Sequence, residues 1–579
     1  MAMRGWWLVG VVPVLAAAGA VMASCGSSSS CEDTGTCGAY AGTGGSAGAA
    51  GAGGSAGASG TAGSAGSAGS AGAAGDDAGD APDDVFDGGP TEGGDQDADA
   101  ADAVIDVVQE PFCDLTKSPG QEPCVIDESQ GVFVSPNGTD DAGCGTRAAP
   151  CLTLTNAMTE AHSQSKKRVY ACADDAHPYA EAVVMGAAQD GLELFGGFDC
   201  TDWSYDASAR KAKVRPEAEG VAWKIQGLTS GATIEGFDIA SLDATGSGNS
   251  SIAVVVDTSQ NVVFRSSVIT SGKGTAGTSG TDGTKGADGA TAADAQKGQP
   301  ATCTNPPSVL AGGEWSTASA CGSQGGGGGN SGKAGGGPGG DGLPADKTNH
   351  GAGSDTAPNP GTAGTFGGDG AKGDVGPAAS TIGTFGATGY TPALGEDGTD
   401  GHPGQGGGGG GASAGMLTPE ICVGASGGAG GMGGCGGTKG TAGKGGGASV
   451  ALLSWNSAVT LDNCALTSSN GGNGGKGGNG GDAGIGQLGA AGGAGVPSKI
   501  GNGGDGGRGG NGGVGGSGSG GTGGPSLAIV YSGTEPIKGS ATTYSHGSGG
   551  QLGQGGNVGG FFPAPDGYTG IADDVYHAQ

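Results

Sequence analysis

The segment Ser449-Val450-Ala451-Leu452-Leu453 has two counterparts far away in the chain, Ser251-Ile252-Ala253-Val254-Val255 and Ser526-Leu527-Ala528-Ile529-Val530. Each copy is a short apolar run that favours a buried β-strand. A few residues later each copy is followed by one apolar position and by a second position five residues further on. These pairs are Phe264 with Ile269, Leu461 with Leu466, and Ile537 with Thr542, and Ile234 with Ile239 has the same spacing one coil earlier.

One such segment is too small to bury its own apolar side chains, so it needs neighbours. Parallel strands of stacked segments lie about 4.8 Å apart, and their inward side chains would form one continuous core. After each copy the chain passes into glycine-rich sequence at the same point. The pattern therefore predicts an all-β solenoid with its glycine-rich segments inserted at one edge.

The sequence before the first copy adds a second indication of this fold. Val132-Phe133-Val134-Ser135-Pro136-Asn137-Gly138-Thr139-Asp140 is a strand followed by a turn, and Cys144-Gly145-Thr146, Pro150 to Leu154 and a short helical run near Asn156 to His162 come after it. This order resembles the N-terminal cap of right-handed parallel β-helix proteins of the pectin-lyase-like group. The resemblance implies a cap and first coils over 112–271, one coil over 448–470, and a last coil with a C-terminal cap over 525–579.

Two glycine-rich inserts, 272–447 and 471–524, separate these coils, and glycine occurs 142 times in the chain. In the stretch from Gly471 to Asp482, two of every three residues are glycine. Helices with three residues per turn would then have two bare edges, which lets neighbouring helices approach and hydrogen-bond. Polyglycine-II-like helices and disorder remain the two alternatives, because glycine loses the most entropy on ordering. The composition resembles the PGRS regions of bacterial surface proteins.

The N-terminus has the order of a secretory signal: Arg4, then an apolar run from Trp6 to Ala23, then Ser24-Cys25. Met22-Ala23-Ser24-Cys25 resembles a bacterial lipobox, which implies cleavage of a signal peptide over 1–25 and lipidation of Cys25. Gly26 follows where lipoproteins kept in the inner membrane usually have Asp. The resemblance thus implies export to the outer membrane or cell surface. Residues 26–111 are a low-complexity Gly/Ala/Ser segment and then an acidic segment, which predicts a disordered linker.

The cysteines agree with an oxidising compartment. Most of them fall into local couples, and proximity alone suggests that each couple is a disulfide. Cys464 is left over, and its place beside Leu461 predicts a buried free thiol. The couples are Cys31 with Cys37, Cys113 with Cys124, Cys144 with Cys151, Cys172 with Cys200, Cys303 with Cys321, and Cys422 with Cys435.

The formal net charge of −32 argues against nucleic acid as a partner, because phosphate binding needs clustered Lys and Arg. Pectin-lyase-like proteins include polysaccharide lyases and hydrolases, so the resemblance implies a carbohydrate-active enzyme as one alternative. The coils offer Asp238, Asp243, Asp257, Asp462, Arg265 and Lys538, but their register predicts no catalytic cluster, and Arg265 lacks an accompanying acidic set.

We therefore expect no catalytic, cofactor-binding or metal-binding residues. The sequence favours a non-catalytic, lipid-anchored surface protein with a structural, adhesive or glycan-contacting role. Its expected partners are the membrane, reached through the lipid, and extracellular glycans or envelope components. A mostly disordered envelope spacer is a further alternative.

Overall fold

A computed structural model describes residues 113–559 and 562–579. The predicted signal peptide, Cys25, the couple Cys31/Cys37 and the linker over 26–111 lie outside the described residues. Within them the chain is β-rich and parallel. In chain order the strands are β1 (Gly131–Val134), β2 (Arg168–Ala173), β3 (Val183–Met185), β4 (Glu193–Asp199), β5 (Ala212–Val214), β6 (Trp223–Gln226), β7 (Ala232–Glu235), β8 (Phe237–Ala240), β9 (Ser251–Asp257), β10 (Val262–Arg265), β11 (Val268–Thr270), β12 (Val309–Leu310), β13 (Ser331–Gly332), β14 (Gly383–Gly386), β15 (Gly389–Pro392), β16 (Ser449–Trp455), β17 (Val459–Asp462), β18 (Ala465–Thr467), β19 (Ser526–Ser532), β20 (Ile537–Lys538), β21 (Thr543–Ser545), β22 (Asn557–Val558), β23 (Phe562–Pro563) and β24 (Ala572–His577).

Three parallel sheets contain most of these strands. Sheet A has the order β1-β2-β4-β7-β10-β17-β20, sheet B has the order β5-β8-β11-β18-β21, and sheet C has the order β3-β6-β9-β16-β19-β24. From β3 onward the chain visits sheet C, then A, then B, and repeats this order. The pairs β12–β13, β14–β15 and β22–β23 are antiparallel hairpins in the connecting segments. Such an arrangement is compatible with a parallel β-helix.

The helical content of the described residues is small. Helix α1 (Leu154–Ser163) is capped by Thr153, whose side chain accepts a hydrogen bond from the backbone N–H of Asn156. Its apolar side packs against the core through Leu154 and Met158. Short 3-10 turns occupy Pro123–Val125, Ala187–Gln189 and Asp294–Gln296.

The strand register confirms the first two copies of the repeat. Val450 pairs with Ile252 on one side and with Leu527 on the other. Further along the coils, Leu461 pairs with Phe264, and Leu466 pairs with Ile269. In the preceding coil Ile234 pairs with Phe264 and Ile239 pairs with Ile269, as their equal spacing predicts.

For the second half of the third copy, the strand register predicted from the sequence is wrong. Lys538, not Ile537, pairs with Leu461, and Tyr544, not Thr542, pairs with Leu466. Ile537 instead pairs with Thr460 and is 64% exposed. Because side chains alternate along a strand, pairing with Thr460 turns Ile537 away from the core. In sheet A, β20 is the terminal strand, so this position has no following coil to bury it.

Successive coils bend at equivalent corners. After the strands of sheet C, the residues Gly227, Thr258, Asn456 and Gly533 have φ values of 69°, 47°, 48° and 84°. Gly236, Ser266 and Asn463 follow the strands of sheet A with φ values of 77°, 43° and 53°. A residue with a left-handed backbone conformation changes the direction of the chain sharply, and at these positions the chain turns from one sheet into the next.

The main core lies between the three sheets. Trp223, Phe237 and Phe264 are fully buried there, next to Leu452, Leu461 and Ile529. Burying one such side chain stabilises the fold by about 1.5–3 kcal/mol. A second cluster, Phe133, Tyr170, Phe195, Phe198 and Trp203, is also buried. The aromatic run around Phe195 is therefore a packed bend rather than an open stacking platform.

A third apolar cluster covers the other face of sheet C. Ile252, Val450 and Leu527 lie in it, with Phe385 and Tyr390 of the β14–β15 hairpin packed against them. This hairpin belongs to the first insert. Its position explains why the strands of sheet C are apolar without interruption, since both faces of a covered parallel sheet are buried.

Candidate functional site: the glycine bundle and its outer groove

The two inserts leave the sheets and return to them at paired serine residues. The hydroxyl groups of Ser271 and Ser449 lie 2.9 Å apart, and those of Ser468 and Ser526 lie 3.0 Å apart. Both pairs are buried. In the preceding coil, Ser241 and Ser251 make the same contact at 2.8 Å around a much shorter loop. The hydrogen bond closes the coil whatever the length of the insertion, so long inserts are compatible with regular stacking.

The inserts, 272–447 and 471–524, form one hydrogen-bonded unit with 547–556, and we call it the glycine bundle. Its extended segments bond to one another at every third residue. Backbone N–H groups of Gly274, Gly277 and Gly280 donate to the carbonyls of Asn470, Asn473 and Lys476 at 2.7–3.0 Å, so these two segments run parallel. Gly472, Gly475 and Gly478 donate to Gly447, Lys444 and Thr441 at 2.8–2.9 Å, so that pair runs antiparallel.

Glycine is required where these backbones approach each other. A Cβ on Gly478 would lie 2.0 Å from the carbonyl oxygen of Thr281, and one on Gly410 would lie 2.0 Å from that of Gly504. No real side chain tolerates such a distance. Close contact in turn lets buried N–H and C=O groups pair, which removes the cost of burying them.

Side chains of the second insert project from the outer edge of the bundle. Asn473, Lys476 and Asp482 are exposed and Asn479 is partly exposed, so this edge faces water. The amide side chains also do structural work that the sequence did not reveal. Oδ1 of Asn470, Asn473 and Asn479 accepts hydrogen bonds from the backbone N–H groups of Ser548, Gln551 and Asn557 at 2.8–2.9 Å.

A groove runs along this edge beside the point where three glycine-rich segments leave the sheets. It has a volume of about 390 Å³. The side chains that line it are polar or small: Lys273, Ala276, Asn470, Asn473, Ser548 and Gln551. Among the described residues, Nζ of Lys273, Nδ2 of both asparagines and the Gln551 amide have no hydrogen-bond partner in the protein. The groove therefore presents free donors and no carboxylate.

Cysteines stabilise both parts of the molecule. Disulfides join Cys113 to Cys124, Cys144 to Cys151, and Cys172 to Cys200, which are the couples suggested by proximity. The couples Cys303/Cys321 and Cys422/Cys435 are wrong, because the disulfides join Cys303 to Cys422 and Cys321 to Cys435. Folding of the first insert brings its distant ends together, which spacing along the chain does not show. Cys464 is a buried free thiol, and burial raises its pKa to about 11.

Two groups of possible metal ligands occur in the described residues, but each depends on disulfide sulfur atoms. One is Asp140 with Cys144 and Cys151, and the other is Glu420 with Cys303 and Cys422. A sulfur atom in a disulfide has no thiolate to offer a metal ion. Both groups are therefore explained by the cross-links.

The charged residues of the coils have mostly structural partners. Asp238 forms an ion pair with Arg215 at 2.6 Å, and the Asp243 carboxylate accepts from the backbone N–H of Lys273 at 2.7 Å. Oδ1 of Asp257 accepts from the Thr258 hydroxyl at 2.9 Å. Nζ of Lys538 lies 4.0 Å from the centre of the Tyr544 ring.

Arg265 is the exception to the sequence-based account of these charges. The sequence predicts no acidic set beside it, and among the described residues it forms no ion pair, but in strand register it lies opposite Glu235 on one side and Asp462 on the other. Glu235 is nearly buried, and its carboxylate accepts a hydrogen bond from the Tyr205 hydroxyl at 2.7 Å. The sequence could have indicated this ladder, because Glu235 follows the predicted position Ile234 directly.

No protein-family model, curated protein or solved structure matches the chain. Across residues 113–559 and 562–579, none of the helices has the length and apolar character that crossing a membrane requires.

Proposed function

We propose that this chain is an exported, lipid-anchored and non-catalytic surface protein. In this proposal a right-handed parallel β-helix of the pectin-lyase-like kind carries a flange of polyglycine-II-like helices. The flange presents side chains to the surroundings in a structural, adhesive or glycan-contacting role. The anchor is the acylated Cys25, and the outer membrane or cell surface is the expected location.

The repeated visit to sheets C, A and B supports the β-helix part of the proposal. Coil-to-coil register pairs Ser251 with Ser449 and Ser449 with Ser526, although these residues are far apart in sequence. Connections between parallel strands of one sheet are almost always right-handed, which supports the handedness.

One observation carries the functional part: the backbone of the glycine bundle is bonded internally, while polar side chains such as Asn473, Lys476 and Asp482 project at its outer edge. Hydrogen bonds at every third residue match the three residues per turn of an extended polyglycine helix. A catalytic site needs convergent side chains, whereas this bundle spreads small polar groups over a regular surface. Repeated weak contacts suit attachment, since linked sites raise overall avidity.

Membrane fractionation of the producing cells tests the anchor. The variant Cys25→Ser should move the protein from membranes to the soluble fraction and abolish incorporation of labelled fatty acid. Ser27→Ala, two residues later, should leave both readouts unchanged. Continued membrane association of Cys25→Ser would contradict lipid anchoring.

Limited proteolysis separates a folded flange from an envelope spacer. The bundle should resist a protease such as elastase, which cleaves after small residues, for about as long as the coils do. Rapid loss of 272–447 and 471–524, with the coils left intact, would instead favour the spacer.

A carbohydrate-active enzyme is the second candidate, and the ladder of Glu235, Arg265 and Asp462 is the observation that favours it. The measurement is release of reducing or unsaturated sugar ends from a panel of polysaccharides by the full-length protein. Turnover that Arg265→Ala and Glu235→Gln both abolish would overturn the non-catalytic proposal. Without turnover, the ladder is a row of charged residues in register on sheet A, in which Glu235 accepts a hydrogen bond from Tyr205.

A further inference from the structure

We infer that the groove lined by Lys273, Asn470, Asn473, Ser548 and Gln551 is a binding site for an extended, uncharged polysaccharide chain. The inference rests on the proposed surface role and assigns the glycan contact to one place. It concerns the edge of the glycine bundle, away from the charged ladder of sheet A.

The donors of the groove are held in position before any ligand arrives. Oδ1 of Asn470 and Oδ1 of Asn473 accept from backbone N–H groups at 2.9 and 2.8 Å, so each amide plane is fixed and its Nδ2 has a defined direction. A ligand that bonds to these Nδ2 groups costs little side-chain entropy. Sugar hydroxyl and ring oxygens are suitable acceptors, and the Ser548 hydroxyl and Gln551 amide offer acceptors for sugar hydroxyl hydrogens.

The spacing of the donors suits a polymer rather than a single small molecule. Asn470 and Asn473 are one turn apart on the same edge, which places them about 9 Å apart in an extended helix of three residues per turn. Gln551 lies on the neighbouring parallel segment, opposite Asn473. An extended chain lying along the groove could therefore bond to successive amide groups.

Charge favours an uncharged ligand over an anionic one. The lining contains one cation, Lys273, and no carboxylate, but the protein as a whole has a net charge of −32. A polyanion would be repelled at long range by that charge, whereas a neutral glycan would not. Amide and hydroxyl groups are the usual polar contacts to uncharged hydroxyl-rich ligands.

The test uses the full-length protein in detergent and hexasaccharides of neutral glucans with β-1,4, β-1,3 and α-1,4 linkages. Oligogalacturonate of the same length serves as the anionic probe. The variant Asn470→Asp/Asn473→Asp keeps the acceptor oxygens that bond to Ser548 and Gln551 but removes the amide donors. Asn502→Asp/Asn511→Asp is the matched control, because those side chains accept from Gly495 and Gly486 in the same way outside the groove.

We expect at least one neutral hexasaccharide to bind, with affinity lowered at least tenfold in the groove variant and changed less than twofold in the control. Equal binding by the groove variant would overturn the assignment of the groove while leaving a glycan-contacting function in place. Failure to bind any neutral hexasaccharide, or preference for oligogalacturonate, would overturn the inference itself. Thermal unfolding of both variants shows that the fold is retained.

Discussion

The coils and the glycine bundle are both closely packed, but they achieve this packing in opposite ways. In the coils, large side chains such as Phe264 and Leu461 fill the space between sheets, and backbone groups pair only along the strands. In the bundle, the absence of side chains at Gly410 and Gly478 lets whole backbones meet. One region is stabilised by buried apolar area and the other by close-packed hydrogen bonds. A change in side-chain size should therefore have opposite consequences in the two regions.

The largest expected loss of stability comes from removing a disulfide of the glycine bundle, compared with removing one that precedes the coils. Because the Cys321–Cys435 disulfide stays in place, removing Cys303–Cys422 with Cys303→Ser/Cys422→Ser opens an effective loop of about 30 residues and should lower the free energy of unfolding by about 4 kcal/mol. Removing Cys144–Cys151, separated by 7 residues, should cost about 2 kcal/mol by the same reasoning. Urea denaturation of both variants measures the difference. Equal losses would show that loop length does not determine how much the disulfide stabilises the bundle.

Shortening a side chain should damage the coils. Phe264→Ala removes a fully buried ring between Ile234 and Leu461 and should destabilise the protein by about 4 kcal/mol. Ile537→Ala is the matched control, because this exposed residue of the last coil should change stability by no more than about 0.5 kcal/mol. Calorimetric unfolding reads out both. A large loss of stability in Ile537→Ala would show that Ile537 is part of the core and would contradict its exposed position.

Lengthening a side chain should damage the bundle. Gly478→Ala places a methyl group against the Thr281 carbonyl and should destabilise the protein by about 2 kcal/mol. Gly335→Ala serves as the control, because a Cβ there meets open space at an ordinary backbone angle. Thermal unfolding compares the two substitutions. If Gly478→Ala proved as mild as Gly335→Ala, close backbone packing would not be what orders the inserts.

The smallest effect is a pH dependence confined to the coils. Hydrogen bonds from the Thr229 side chain and from the backbone of 229–231 hold the pKa of Asp190 at about 2. A lowered pKa means that the ionised carboxylate stabilises the fold above about pH 4, and this contribution disappears as the pH falls through 2. Because Asp190 is partly exposed, we expect no more than about 1 kcal/mol. Asp190→Asn should flatten this part of the stability profile between pH 4 and 2, and an unchanged profile would contradict the assignment.

The apolar rungs were the most predictable part of the fold, because coils that share one core must repeat their inward residues at fixed spacing. The spacing placed Leu461 beside Phe264 and Leu466 beside Ile269. The same spacing gave the wrong register at Ile537, because the last strand of sheet A has a neighbour on one side only and its residues need not repeat the pattern. The uninterrupted apolar strands of sheet C also indicated burial on two faces, but not that Phe385 and Tyr390 would provide the cover.

The candidate site was less predictable. A period of three in glycine indicates extended helices with bare edges, yet it does not say which helices are neighbours. The partners of Asn470 and Asn473 are about 78 residues further along the chain. Local sequence contains no trace of that pairing, so neither the fixed amide groups nor the groove could be read from it.

By itself, the sequence determined that the described part of this protein is a parallel β structure interrupted by glycine-rich segments, because periodic burial and bare backbone edges are local properties. The tertiary structure alone decided which backbones meet, that Cys303 pairs with Cys422, and that Arg265 lies between Glu235 and Asp462 in the strand register. These facts depend on the path of the chain through space. A glycine-rich segment has few side chains that could specify its partners, so the fold of the rest of the chain determines which segments lie beside it.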